Sequence, residues 1–207
     1  MTDVLGVILA GGQATRMGGG DKCLLEIGGE TALSRIIRRL APQVAEICLN
    51  ANGDPARFAA YGLPVRADAQ AGFAGPLSGV LAGLDWAADQ GAARIVTVAG
   101  DTPFFPGDLV ARLVAAAEDA ATPLAMAVTP DPERGQSRQP TFGLWPVALR
   151  DDLRAALAAG TRKIVAWTGP HGCAAAEFDT APYDPFFNVN TPGDLDTARE
   201  MAEAHGL

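Results

Sequence analysis

Lysine is nearly missing from this chain: of its 16 basic side chains, all but Lys22 and Lys163 are arginine. Histidine occurs twice, as His171 and His205, and three cysteines, Cys23, Cys48 and Cys173, lie far apart with no CxxC pair. Such sparse ligands exclude a structural zinc site and a Cys/His nucleophile pair, and free thiols are the default expectation. No apolar run approaches the roughly 18 residues of a membrane-spanning helix, and no basic segment precedes the first apolar stretch. Neither a signal peptide nor a membrane span is expected, and the location expected is cytoplasmic. Positive charge in bulk is lacking too. A net charge of −8 argues against a general nucleic-acid binder, so any anionic ligand has to be met by local cations.

What is present is a chain of 207 residues, 48% hydrophobic and 19% charged, enough to bury a core without staples. No repeat, linker or low-complexity tract interrupts it, so residues 1–207 are read as one domain.

Residues 4–22, VLGVILAGGQATRMGGGDK, organise the rest. Val4–Leu9 is apolar enough for a buried parallel strand. The segment after it carries Gly11, Gly12, Gly18, Gly19 and Gly20, with Arg16 and Lys22 as cations. Glycines let backbone N–H groups approach a phosphate, and the two cations add a planar fork and a point charge. The Walker pattern fails because the lysine follows an aspartate and precedes Cys23. The dinucleotide fingerprint fails because the required glycines are absent. A generic glycine-rich loop remains the bland alternative. Against it stands a lysine placed here in a chain that otherwise writes arginine.

Downstream, Thr31 is positioned to cap a helix with Leu33, Ile36, Ile37 and Leu40 inward. Residues 46–50 read as a second strand, 55–61 as a short helix and 63–66 as a third strand ending at Asp68. Pro76 opens a helix through residue 88, and Arg94–Ala99 is a fourth strand followed by Gly100-Asp101-Thr102-Pro103. Residues 107–121 predict a helix, 124–128 a strand, 129–139 an exposed loop, 140–145 a strand, 147–159 a helix and 161–167 a short helix. Residues 175–179 and 186–189 predict short strands, the latter putting Asn188 and Asn190 on one face. The last helix starts at Pro192, with Thr191 as its cap and Asp194 in its acidic first turn.

The alternation of strand and helix predicts an α/β fold: a three-layer, Rossmann-like, mostly parallel twisted sheet with helices on both faces. Ligands in such sheets sit outside the carboxyl ends of the strands. That rule gathers the glycine loop, Asn50, Asp68 and Asp101. Asp101 is the best Mg²⁺ candidate, since Mg²⁺ binds through one or two carboxylates plus substrate phosphates. An Asp turn ahead of Pro103 is the alternative for Asp101, and turn or cap roles are the alternatives for Asn50, Asp68, Asn188 and Asn190. Together these parts suit nucleotidyl transfer, which needs positioning and charge neutralisation more than a protein nucleophile.

The stretch LAGGQATRMGGGDK resembles the LAGGxxxRMGxxDK signature of the nucleotidyltransferases that mature molybdenum cofactor. Asn50-Ala51-Asn52, Gly75-Pro76-Leu77-Ser78-Gly79, Gly100-Asp101-Thr102-Pro103, Gln139-Pro140-Thr141 and Phe187-Asn188-Val189-Asn190-Thr191-Pro192 follow in order, and the whole is similar to the molybdenum cofactor guanylyltransferase family. The resemblance implies a fold of the nucleotide-diphospho-sugar transferase kind and Mg²⁺-dependent transfer of GMP from GTP to the molybdopterin cofactor. It implies GTP contacts at Leu9, Ala10, Gly11, Gly12, Lys22, Asn50, Asp68 and Asp101, with Asp101 also on the metal. Arg16 is carried over as catalytic with Lys22 and Asp101, and Gly19, Asn188 and Asn190 as acceptor-binding. Residues 1–105 would then bind the nucleotide and 106–207 complete the acceptor side. Which of Asn50 and Asp68 reads the base stays open. The family pattern departs at Gln139, where a basic or histidine residue is usual, and at Gly193. A monomer is expected, with proteins that deliver and receive the cofactor as candidate partners and no nucleic acid or membrane. A cytidylyltransferase of the same family and a non-catalytic nucleotide-binding chaperone are the alternatives.

Overall fold

The computed structural model describes residues 4–11, 21–68 and 75–207. Strand β1 (Val4–Leu9) is followed by a small antiparallel hairpin, β2 (Glu26–Ile27) with β3 (Glu30–Thr31), then α1 (Ala32–Leu40), β4 (Ile47–Asn50) and β5 (Val65–Arg66). Next come α2 (Pro76–Asp89), β6 (Arg94–Ala99), α3 (Leu109–Asp119), β7 (Leu124–Asp131) and β8 (Gly135–Pro146). The chain ends with α4 (Arg150–Ala158), α5 (Ile164–Thr168), β9 (Cys173–Glu177) and α6 (Pro192–His205). The main sheet has seven strands in the order β5-β4-β1-β6-β8-β7-β9. Every strand but β8 runs in one direction.

Alternation along β1 sorts its side chains into two cores. Val4 and Ile8 join Leu33, Ile36, Leu40, Leu109 and Leu113, beneath α1 and α3. Leu5 and Val7 join Leu77, Leu81, Leu84, Leu153, Ile164 and Trp167, beneath α2, α4 and α5. A sheet covered on both faces can be apolar on both, which is why β1 reads as a continuous hydrophobic run. A third cluster, with Ile27, Phe104, Val189, Leu195 and Ala198, docks α6 against the β2–β3 hairpin. The two predicted caps form. Thr31 Oγ1 accepts from Ser34 N at 3.1 Å, and Thr191 with Asp194 completes a capping box at α6.

Three elements differ from the sequence expectation. The third strand shrinks to Val65–Arg66; Pro64 has no N–H to pair and contributes its carbonyl, which accepts from Leu49 N at 2.9 Å. Residues 129–139, expected as a loop, are the ends of β7 and β8, a hairpin whose turn is held by Asp131 Oδ1 accepting from the N–H groups of Glu133 and Arg134. Residues 186–189, expected as a strand, join no sheet among the described residues. They are held instead by Phe186, which packs edge-on to Phe142 at 4.9 Å and Phe178 at 5.5 Å, and by Val189 N donating to the Asp101 carbonyl at 2.8 Å. Among the described residues no helix is long and apolar enough to cross a membrane.

Helix α2 packs on β1 at glycine. A Cβ on Gly83 would lie 2.7 Å from Val7 Cγ2 and 3.1 Å from Ile95 Cδ1, both in central strands. Gly83→Ala is therefore expected to lose about 1–2 kcal/mol, overpacking outweighing the helix-propensity gain of about 1 kcal/mol. Gly107→Ala, with nothing within 4 Å of the added carbon, should stay within about 0.5 kcal/mol of wild type. Urea unfolding with an unchanged m-value checks both.

Candidate active site

Strands β1, β4, β5 and β6 end together. Leu9 is in register with Asn50 on one side and Ala99 on the other, and Asn50 is in register with Arg66. The chain then crosses closely above the strand ends: Ala10 N donates to Asn50 O at 2.8 Å and Gly100 N to Leu9 O at 2.9 Å. A Cβ on Gly100 would sit 3.1 Å from both Ala10 Cα and Leu9 O, and one on Gly79 only 2.3 Å from Asn50 Oδ1. A Cβ at Gly79 would force Asn50 to move, and one at Gly100 would press tightly on the backbone at the end of β1. These close approaches bring α2 and the turn after β6 up against the same strand ends.

Two groups of side chains flank that edge. In the first, Lys22 Nζ donates to Asn190 Oδ1 at 2.6 Å and lies 4.0 Å from Asp101 Oδ2. The buried Thr102 hydroxyl lies against Asp101 Oδ1 at 3.2 Å and against the Asn188 side-chain amide. Burial pushes the Asp101 carboxyl above its ordinary value, and the Lys22 ammonium and the Thr102 hydroxyl hold it back. Asp194 Oδ2 accepts from Asn190 N at 2.9 Å and Thr191 N at 2.8 Å, fixing the backbone that carries Asn190. These backbone bonds set the Asp194 carboxyl below its usual range.

In the second group Asp68 is clasped by two amides. Asn50 Nδ2 donates to Asp68 Oδ1 at 3.1 Å and to Arg66 O at 3.2 Å, while Asn52 Nδ2 donates to Asp68 Oδ2 at 2.8 Å. Asn52 Oδ1 in turn accepts from Asp68 N at 2.9 Å. Asn50 is 4% exposed and both of its amide protons are committed, whereas Asp68 remains half-buried. Each oxygen of that carboxylate keeps lone-pair capacity for a further donor.

Of the residues singled out from sequence, the fold brings together Lys22, Asp101 and Asn190, and separately Asn50 and Asp68, beside Leu9, Ala10 and Gly11 at the end of β1. Asn188 and Asn190 do not share a strand face; Asn188 meets Thr102 and Asn190 meets Lys22. Gly12, Arg16 and Gly19 lie outside the described residues. Sequence reasoning gave no role to Asn52 or Asp194 in the site; Thr102, read with Pro103 as fixing the Asp101 carboxylate, does lie against it. For Asn52 a signal existed: it stands two residues after Asn50, the spacing that returns a side chain to the same side of extended backbone. Among the described residues no cluster of three His, Cys, Asp or Glu side chains could hold a metal unaided.

The raised Asp101 carboxyl carries a stability consequence. A carboxyl whose folded value lies above its unfolded one favours the fold fully below the ordinary carboxylate range, and that contribution is lost as pH rises through the folded value. Once ionised, Asp101 therefore weighs against the ligand-free fold. Asp101→Asn is expected to raise the thermal midpoint at pH 7, with the gain shrinking as pH falls into the carboxylate range. Scanning calorimetry of both proteins across pH checks this.

Residues 6–173 match a family model described as the MobA-like NTP transferase domain. A molybdenum cofactor guanylyltransferase of Bradyrhizobium sp. (strain ORS 278) is 52% identical over 204 residues, covering 97% of this chain and 94% of the relative. Another, from Mesorhizobium japonicum, is 48% identical over 207 residues, covering 98% and 97%. Among solved structures, molybdopterin-guanine dinucleotide biosynthesis protein A from Archaeoglobus fulgidus superposes with a TM-score of 0.74 at 19% identity, over 97% of this chain and 100% of that one. The 2-C-methyl-D-erythritol 4-phosphate cytidylyltransferase of Thermus thermophilus gives 0.72 at 21%, over 98% and 100%. The two structures share the fold; the family model and the two close relatives place the chain more narrowly, and it belongs to the MobA-like nucleotidyltransferase family.

Proposed function

We propose that this chain transfers GMP from GTP to the molybdopterin-bound molybdenum cofactor, forming the guanine dinucleotide and releasing pyrophosphate. The observation that carries the reading is the pairing, at one sheet edge, of a Lys22–Asp101–Asn190 group with an Asp68 carboxylate aligned by two amides. The activity named for the relatives at 52% and 48% identity supports it. In the transfer, an acceptor phosphate oxygen attacks the α-phosphorus of GTP in line. The new O–P bond forms as the bond to the β-phosphate oxygen breaks, and pyrophosphate carries away the electron pair. Lys22 offsets charge on the phosphates, where a preorganised cation counts most. Arg16 would act with Lys22 and Asp101, and Asn188 and Asn190, with Gly19, would meet the acceptor, so that residues 106–207 complete what residues 1–105 begin.

Asp101 is the residue to hold Mg²⁺, which when bound supplies charge neutralisation across the phosphates. A single half-buried carboxylate, its Oδ1 against the Thr102 hydroxyl and its Oδ2 4.0 Å from Lys22 Nζ, fits an ion that takes most of its remaining ligands from substrate and water. Thr102 positions this carboxylate and Asn188 together.

Base choice falls to Asp68, with Asn50 and Asn52 as its supports. Guanine alone among the common bases presents two adjacent donors, N1–H and the N2 amino group, matching the two oxygens of a carboxylate. Cytosine and adenine would set a ring-nitrogen lone pair against it, and uracil offers one donor between two carbonyls. A site built for two donors rejects a base that leaves its buried polar groups unpaired.

Pyrophosphate release is to be followed with GTP, CTP, ATP and UTP, each with the molybdopterin acceptor and Mg²⁺. GTP should dominate, and equal turnover of CTP would sink the guanine assignment. Lys22→Ala and Asp101→Ala are each expected to cost about 10²-fold or more in single-turnover transfer, the scale of one lost charge-stabilising contact.

A further inference from the structure

The base side and the phosphate side of the candidate site are joined by a side chain that has no place in the chemistry above. Arg57 lies in the short 3-10 helix Pro55–Tyr61. Its guanidinium makes three contacts to three points of the chain. Nε donates to Asp21 Oδ2 at 2.6 Å, Nη1 to the Asp54 carbonyl at 2.6 Å, and Nη2 to the Asn52 carbonyl. The group also stacks over the buried Phe58 ring, 4.6 Å from its centroid, which fixes the plane of the fork.

Each end of this bridge leads into the site. Asn52, whose carbonyl Arg57 holds, grips Asp68 through both atoms of its amide. Asp21, whose carboxylate Arg57 holds, immediately precedes Lys22 and stands at the N-cap of the Lys22–Leu24 turn. Its side chain makes no capping bond there; the carboxylate is given to Arg57 instead. Between Asn52 and Asp54, Gly53 adopts φ +86°, the left-handed region open to glycine, and a Cβ there would lie 3.2 Å from Arg57 Nη1. The turn thus admits the guanidinium against two carbonyls of the same loop.

We propose that Arg57 is a positioning residue that couples the Asn52–Asp68 clamp to Lys22. The proposal rests on the nucleotide reading above. Ordering Asn52 by a bound base fixes the two carbonyls around Arg57, and through Asp21 the backbone that carries Lys22. By linkage, ordering Lys22 by phosphate favours the clamp by the same factor. A planar fork with a fixed set of donors can hold three acceptors in one geometry, which a lysine at this position cannot do.

The test is a double-mutant cycle for GTP binding, Asn52→Ala against Lys22→Gln, measured by calorimetry on the full chain with Mg²⁺, in the wild-type and Arg57→Gln backgrounds. The expected result is a non-additivity of about fivefold in the wild-type background that falls to within about twofold of additive once Arg57 is replaced. Arg57→Gln alone should weaken GTP about tenfold, the scale of a charge-assisted hydrogen bond, and Arg57→Lys should not restore the coupling. A merely structural role would lower the melting temperature and weaken binding while leaving the non-additivity intact, and that result overturns the proposal. So does additivity in the wild-type background. Should Arg57→Gln fail to fold, Asp21→Asn cuts the same bridge from its other end and must give the same loss of coupling. A wild type that binds CTP more tightly than GTP overturns the guanine reading alone; the cycle is then read with CTP and decides the coupling by the same two outcomes.

Discussion

A half-buried ammonium is the point on which this molecule turns. Lys22 sits where three distant parts of the chain meet, 4.0 Å from the Asp101 carboxylate and 2.6 Å from the Asn190 amide oxygen, 168 residues away in sequence. Taking an ammonium partly out of water is costly unless acceptors replace the water. Here one acceptor is charged and distant, the other neutral and close. The asymmetry leaves the lysine held but not neutralised, a compact positive charge that on the proposed reading meets the phosphates. An arginine, planar and forked, would demand matched acceptors in one plane. In a chain with 14 arginines and two lysines, a compact ammonium at position 22 suits that geometry.

The sheet supplies the distances, and glycine permits them. Parallel strands that end in register create an edge, but side chains gather there only if backbone can come close above it. Gly100 lets the turn after β6 lie on the end of β1, and Gly79 lets α2 close on Asn50. Asn50 is thereby enclosed, with both amide protons spent on Arg66 O and Asp68. So enclosed, it supports the Asp68 carboxylate. The chain of causes runs from a missing Cβ to a buried amide to an oriented carboxylate.

Local physics was legible in the sequence. The apolar run of β1, the Thr31 and Thr191 caps and the alternation of strands and helices each depend on neighbours within a few residues, and each is where the sequence places it. Residues 129–139 were not legible as strand. Most of them are exposed on both faces, so no period-two pattern marks them, and backbone pairing with a tight Asp131 turn holds them. Residues 186–189 misled in the opposite sense. Their apolar side chains suit a strand but are buried one by one against Phe142, Phe178 and the third core, with a single backbone bond to Asp101 in place of a ladder. In the candidate site, the strand-end rule found the two carboxylates at the strand ends, Asp68 and Asp101. It did not find Asn52 or Asp194, whose partners are another side chain and a loop backbone and whose importance exists only once the chain has folded.

That division has a consequence for how selectivity arises. A carboxylate on a free rotor would pair with any donor that arrived, paying orientation entropy each time. Asp68 is instead oriented before a base arrives, by donors on each of its oxygens and by its own N–H bound to Asn52. On the proposed reading, a base that offers two donors in the matching plane meets a surface already shaped for it. One that offers a lone pair cannot be accommodated by rotating the carboxylate without breaking two amide contacts, each worth on the order of 1.5–3 kcal/mol because the acceptor is charged. Discrimination in such a site comes from rigidity in the supports as much as from the reading group itself. On the proposed reading the chemistry is written in Lys22, Asp68 and Asp101, and the choice of substrate in the amides, hydroxyl and turns that keep them still.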